Sequence, residues 1–446
     1  MSLLSYLERA KLQRFHYSLL AIAFSAYMLT AMNVLLISGV LKRMMIELNL
    51  GMQEASFLIS IGFFGMLIGA ISFGKLSDII GRKISLVITI TIHAVFTAAC
   101  GTTHDYTLLL IYRFLAGIGL GGALPIPGVY ISEYTPAEKR GLFVGLVETA
   151  WVWGTILSLI IPLCFLQEID WEGVFLWGLL ALVLVPLILI LVPESIRYLE
   201  KRGRIEDAIK ILKKFNLISS EEELKGIGME RKEVSWRELF SGEYLVRTLL
   251  LMSLWFILVY TYYGIFIWLP KILADRYTLL QALTWSIIII IAQIPGYYSA
   301  AYLLDRLGRK KVLGIYLISA AIGSIIVGIS DYFEAGVIKL FGYEIGALLF
   351  SGFLIVSFFN LGAWSGLYTY TPELYPTEHR GTGAGIAAAT GRVAGILAPI
   401  ITGYLLIGGS LLPAYITFFL LHLLGGLLVL VIGIETKGLR LEEISR

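Results

Sequence analysis

Charge is scarce in this sequence, and so are the residues that build disulfide frameworks and metal clusters. Only 15% of its 446 residues are Asp, Glu, Lys or Arg, against 58% hydrophobic. A soluble domain carries about 25% charged residues, so a soluble chain of this composition could not cover itself with a wetted surface. A lipid bilayer supplies the apolar surroundings it needs. The two cysteines, Cys100 and Cys164, both fall in apolar stretches, which excludes a disulfide framework and a cysteine metal cluster. The histidines His16, His93, His104, His379 and His422 are scattered without ligand spacing, so no metal is expected. No nucleophile–base constellation stands out, and neither an enzyme nor a resident cofactor is expected. The net charge is only +3. Lys and Arg lie in short polar breaks rather than on one face, which argues against a nucleic-acid partner.

Long hydrophobic runs are what the sequence has. A spanning helix needs roughly 20 mostly apolar residues. Twelve candidates are found, at 17–41, 55–76, 84–102, 106–131, 141–166 and 172–193, then at 246–270, 280–304, 311–330, 341–370, 382–407 and 411–434. The first is too long for the apolar core of a signal peptide. Arg9, Lys11 and Arg14 precede helix 1, Arg82 and Lys83 follow helix 2, and Lys139 and Arg140 follow helix 4. Arg306, Arg309, Lys310 and Lys311 follow helix 8, whereas the breaks after helices 3 and 5 contain no Lys or Arg. Lys42 and Arg43 are exceptions. By the positive-inside rule both termini are cytoplasmic.

The pattern divides the chain into a six-helix bundle at 1–193, a cytoplasmic linker at 194–245 and a second six-helix bundle at 246–446. "RIEDAIKILKKF" (Arg204 to Phe215) has apolar residues at helical spacing and predicts short amphipathic helices in the linker. "GKLSDIIGRK" from Gly74 and "AYLLDRLGRKK" from Ala301 align Asp78 with Asp305. "EYTPAEKRG" from Glu133 aligns with "ELYPTEHRG" from Glu373. The two halves therefore repeat one another.

These motifs carry a resemblance. The first matches the Gly-x-x-x-Asp-x-x-Gly-Arg-Lys signature of the major facilitator superfamily, and the second copy departs from it at Ala301. "PESIRYL" from Pro193 and "IETKGLRLEEI" from Ile434 resemble signatures of its sugar porters and organic-ion transporters. "YTPELYPTEHRGTGAGIAAATGRVAGILAPIITG" (Tyr370 to Gly403) is similar to metabolite–proton symporters of the nicotinate and aromatic-acid group. The resemblance implies an all-α fold of twelve transmembrane helices in two pseudo-symmetric bundles. It also implies alternating access by rocking of the halves about a midplane site. Asp78, Arg82, Glu133, Arg140, Asp305, Arg309, Glu373 and Arg380 would form gating clusters. In these, Asp78 could accept hydrogen bonds at a helix N-terminus, and Arg82 and Arg140 could pair with Glu133 or Glu194.

Charged residues inside spans are functional candidates by default. Three stand out: Arg113 in helix 4, Glu148 in helix 5 and Arg392 in helix 11. Related organic-anion transporters often carry a basic residue at the place of Arg392. Its planar guanidinium suits a carboxylate, so it is the candidate for binding an anionic substrate, and an internal ion pair is the plainer alternative. Glu148 is the candidate proton carrier, with Arg113 beside it; a permanent Glu148–Arg113 pair is the structural alternative. Asn33 fills a position where proton-coupled sugar porters have Asp facing the helix 4 Arg. Asn cannot titrate, so coupling runs through Glu148 or is absent. Glu148 and Asn33 are also substrate-contact candidates. Tyr262, Trp364 and Tyr368, on helices that line the superfamily's cavity, could stack on a planar ring. Gly117, Gly119, Gly121 and Gly122 lie inside a span, where small residues permit close helix packing, and are not a dinucleotide fingerprint.

The sequence thus points to a monomeric cell-membrane transporter of a small organic anion, with the lipid bilayer as partner and protons as a candidate co-substrate. A sugar or polyol facilitator or symporter is the alternative. It is disfavoured by Glu148, which stands where sugar porters carry Gln, and by helix 7, which lacks their Ser-Gly-Ile-Asn motif. A membrane ligand sensor that does not transport is a third reading.

Overall fold

The computed structural model describes residue 7 and residues 11–215, 236–242, 244–333, 335–376 and 378–438. Arg9, linker residues 216–235 and the end of the last motif from 439 lie outside the described residues. Eleven helical stretches among the described residues are long and apolar enough to cross a membrane. One of them, Ala137–Leu191, has 55 residues. A straight helix of that length would measure about 80 Å, far more than a hydrocarbon core of about 30 Å. Its backbone is broken at Asp170 (φ 50°, ψ −174°), so it holds two spans and the total is twelve. They are α1 (Arg14–Glu47), α2 (Met52–Ile80), α3 (Arg82–Thr102), α4 (Tyr106–Tyr134), α5 (137–169) and α6 (171–191). After the linker come α7 (Tyr244–Ala274), α8 (Leu279–Leu307), α9 (Arg309–Ile329), α10 (Ala347–Glu373), α11 (Arg380–Leu405) and α12 (Leu412–Ile432). The break in α4 falls at Leu124, where Pro125 opens a second segment. Proline has no N–H to donate into the helix ladder.

Two elements depart from the expected pattern. Residues 337–346 form an antiparallel hairpin, Val337–Leu340 against Tyr343–Gly346, so α10 begins at Ala347 rather than near 341. Phe341 and Gly342 both have positive φ, 52° and 80°, as a two-residue hairpin turn requires. In the linker, Ile196–Lys201 and Ile205–Lys214 are helical; the second buries Ala208 and Leu212 and exposes Lys210, Lys213 and Lys214.

By internal contacts the chain forms two compact units, Met1–Ile37 with Ile61–Arg231, and Ser38–Ser60 with Lys232–Arg446. In the first, α2 and α4 meet backbone to backbone. A Cβ at Gly65 would strike the Phe114 carbonyl, one at Gly69 the Ile118 carbonyl, and one at Gly121 the Met66 carbonyl. Lipid tails give two helices no hydrophobic reason to associate, so close van der Waals approach through small residues has to do it. In the second unit Gly296 of α8 approaches the α10 backbone at Phe358 in the same way.

Each unit also contains a buried Asn–His pair. In the first, Asn33 of α1 donates from Nδ2 to the Gly178 carbonyl (3.2 Å) and lies 2.9 Å from His93 Nδ1 on α3. The donor is therefore Asn33, so His93 Nδ1 accepts and its proton sits on Nε2. In the second, Asn360 Nδ2 of α10 donates to Thr261 Oγ1 (3.0 Å) and lies 2.9 Å from His422 Nε2 on α12. Thr261 gives its own proton to the Ile257 carbonyl and so accepts from Asn360. The amide nitrogen can only donate, so His422 Nε2 also accepts, and its Nδ1 faces Ser324 Oγ at 3.2 Å.

Candidate functional site

At one end of each unit the same set of side chains recurs. In the first unit, Arg82 pairs with the buried Glu133 carboxylate, and Ser195 Oγ donates to Glu133 Oε2 (2.6 Å). Glu194 Oε1 accepts from the backbone N–H groups of Arg82 (2.9 Å) and Lys83 (3.1 Å), the open N-terminus of α3. In the second unit, Arg309 grips Glu373 through Nε and Nη2 at 3.1–3.2 Å. Thr436 Oγ1 donates to Glu373 Oε2 (2.6 Å), and Glu435 Oε1 accepts from the Arg309 N–H (2.8 Å) at the start of α9. Gly81 and Gly308 precede these termini with φ of 98° and 97°, and a Cβ at either would collide with the Glu194 or Glu435 carboxylate. Only glycine serves both needs.

The acceptor at the helix N-terminus is thus Glu194, not Asp78. The exposed Asp78 carboxylate instead takes Lys201 Nζ at 2.8 Å, because the chain after α6 folds back under α3 and brings Glu194 to the terminus. Asp305 pairs with Arg309 at 3.1 Å. Arg140 and Arg380, both half-buried, stand in the first turn of α5 and at the start of α11.

The intramembrane residues fall into two groups, one per unit. In the first unit, Glu148 of α5 accepts from the Tyr27 hydroxyl of α1 at 3.0 Å. Trp151, one turn on, lies 6.0 Å from the Tyr27 ring. Glu148 and Arg113 form no ion pair among the described residues; Arg113 is 3% exposed, and its Nε and Nη1 have no hydrogen-bond partner there. Asn33 is fully buried, with both N–H bonds of its amide engaged by His93 and Gly178.

In the second unit three rings form a closed cluster. Trp255 of α7 meets Trp364 (5.5 Å) and Tyr368 (5.6 Å) of α10 edge-on, and Trp364 lies 5.4 Å from Tyr368. The Trp255 indole N–H donates to Thr371 Oγ1 at 3.0 Å, which fixes its plane. On α11, a Cβ at Gly391 would lie 3.3 Å from the Trp255 ring, and Arg392 is the next residue. Arg392 is half-buried and has no carboxylate in ion-pair reach among the described residues. Tyr262 is 2% exposed and packs on Tyr263 and Phe266. The second unit therefore presents a half-buried guanidinium on the helix that packs against a faceted aromatic cluster, and the first a carboxylate held by a tyrosine.

The model of the family described as "Sugar (and other) transporter" matches residues 21–446. The chain belongs to this family. Among its relatives, the niacin transporter NiaP of Acinetobacter baylyi is 36% identical over all of both chains. A Bacillus subtilis protein named as a candidate niacin/nicotinamide transporter is 32% identical, over 95% of this chain and 97% of its own. The partially occluded, inward-open structure of the xylose transporter XylE from E. coli superposes with a TM-score of 0.75 at 21% identity, covering 96% of this chain and 100% of that one. The fold is that of the major facilitator superfamily, and the chain is a multi-pass membrane transporter of a small molecule rather than an enzyme.

Sequence reasoning did not single out three further residues inside the spans. Trp255 sits in an unbroken apolar run, and its mid-span position, away from the interface where Trp usually anchors, was the available signal. Tyr27 is one tyrosine among 24, and nothing in its neighbours couples it to a residue 121 positions away. Gln293 of α8 is fully buried with neither amide atom partnered among the described residues; a Gln inside a span was visible but was not weighed.

Proposed function

We propose that this transporter moves a small aromatic carboxylate, with nicotinate as the type substrate, across the cell membrane by alternating access. The observation that carries this is Arg392, an intramembrane guanidinium with no carboxylate in ion-pair reach among the described residues, on the helix whose Gly391 packs against Trp255 of the Trp255–Trp364–Tyr368 cluster. A planar fork holds a carboxylate through two hydrogen bonds, and aromatic edges and faces hold a planar ring. The names of the two niacin-type relatives support the same substrate class. Glu148, hydrogen-bonded to Tyr27, is the proposed proton carrier of a symport cycle. Tyr262 and Asn33, both buried, are proposed to shape the substrate-binding regions of their own units. The paired sets around Arg82, Glu133 and Asp78, and around Arg309, Glu373 and Asp305, with Arg140 and Arg380, act as gates. We further propose bundles at 1–193 and 246–446 joined by a linker at 194–245, both termini in the cytoplasm, and a monomer.

The test is counterflow of labelled nicotinate in proteoliposomes. The acid should exchange and its methyl ester should not. Hydrogen bonds to charged groups are worth about 1.5–3 kcal/mol, so Arg392→Lys should weaken acid binding about 10- to 100-fold. Equal handling of acid and ester, or counterflow of sugars alone, would overturn the reading. Binding without any counterflow would make the chain a sensor.

A further inference from the structure

Arg113 lies on α4 in the first unit, among small and apolar residues. It is 3% exposed, and Nε and Nη1 are buried without a partner among the described residues. No carboxylate pairs with it among the described residues. Its surroundings are also shaped for it. A Cβ at Gly62 on α2 would stand 3.2 Å from Nη2 and 3.6 Å from the guanidinium carbon. One turn beyond, Gly117 meets the Gly62 carbonyl, so the backbone contact that zips α2 to α4 also fixes where Gly62 faces the guanidinium. Arginine does not lose its charge in proteins, and a buried charge whose partner is missing is strongly destabilising. A fixed cation held against a glycine inside the unit, with Nε and Nη1 buried and unengaged among the described residues, is a receptor for a small anion.

We propose that Arg113 forms a monovalent-anion site inside the first unit, filled by a halide or by the carboxylate of the transported acid. The site is separate from Arg392, which belongs to the second unit. Only the carboxylate source rests on the substrate reading above; the halide source does not.

The experiment uses the full chain purified in detergent, with thermal unfolding as the readout. Bromide replaces isethionate at constant ionic strength in one series, and nicotinate is titrated in another. A ligand that binds the folded state raises its stability in a saturable way. The expected result is a saturable rise in Tm with at least one anion that Arg113→Gln abolishes. A bromide response identifies a halide site and should persist in Arg392→Lys. A nicotinate response that depends on Arg113, with bromide silent, identifies the carboxylate. If Arg113→Gln does not fold, Gly62→Ala carries the test, because its methyl displaces the flexible guanidinium end while keeping the charge. The anion response should then weaken several-fold. Absence of any Arg113-dependent response to either anion overturns the proposal, as does an unchanged response in Gly62→Ala when that variant has to stand in. Failure of the ester test at Arg392 leaves the bromide result intact.

Discussion

Single residues decide what this transporter can hold. Trp255 touches two other rings and is itself oriented by Thr371, so its removal loosens the wall rather than one contact. Aromatic pairs add about 0.5–1.5 kcal/mol each beyond buried area. Trp255→Ala should therefore weaken nicotinate binding about 10-fold or more, while Trp255→Phe keeps most of it; isothermal titration of the purified protein measures both. Glu148 permits a sharper test, because substitution can separate accumulation from exchange. Glu148→Gln should abolish uptake driven by an inward proton gradient and leave counterflow working. A variant that still concentrates substrate moves the proton site elsewhere. Arg113, Glu148 and Arg392 were legible because charge inside a span is costly. Their partners were not, since hydrogen bonds between helices far apart in the chain leave no mark on local pattern. The Glu194 carboxylate shows the same limit: its motif was recognisable, but the helix terminus it serves is not contiguous with it.

Elements were read with unequal success, for reasons of length and period. Runs of 20 apolar residues announce themselves, and all twelve spans were found. The turn and second strand of the hairpin, 341–346, fall inside the span expected at 341–370, because the short YEIG strand runs directly into the apolar residues of α10. The Phe341–Gly342 turn separates the two strands. The zipper between α2 and α4 yields a graded prediction at this scale. Gly69→Ala drives a methyl into the Ile118 carbonyl and should lower Tm sharply or prevent folding. Gly74→Ala, on the same helix with nothing within 4 Å of its Cβ, should be neutral or stabilising by up to about 1 kcal/mol, the helix-propensity gain of Ala over Gly. Thermal unfolding of both variants checks the contrast. Equal behaviour would mean the two helices are not in backbone contact.

At the level of the whole molecule the repeat seen in the sequence reappears as chemistry. Arg82, Glu133, Glu194 and Ser195 correspond one by one to Arg309, Glu373, Glu435 and Thr436. Each set ties three chain segments together within its own unit. Glu194→Ala or Glu435→Ala leaves backbone N–H groups at a helix N-terminus unsatisfied, a loss of about 0.5–2 kcal/mol by analogy with N-cap removal. Because the two sets lie in different units and share no partner, the double variant should lose the sum of the two single losses within about 0.5 kcal/mol. Equilibrium unfolding in mixed micelles measures this, and a clear excess over the sum would show that the sets are coupled.

The two Asn–His pairs follow a shorter period than the six-helix repeat. Asn33 and His93 join the first and third helices of the chain across 60 positions, and Asn360 and His422 join the first and third helices of its last trio across 62. Both clasps are therefore local on the scale of synthesis. The first can close once α3 has left the ribosome, long before the rest of the bundle exists. The second completes only when α12, the final span, has been delivered. The nascent chain is thus fastened early within its first unit and again late within its second.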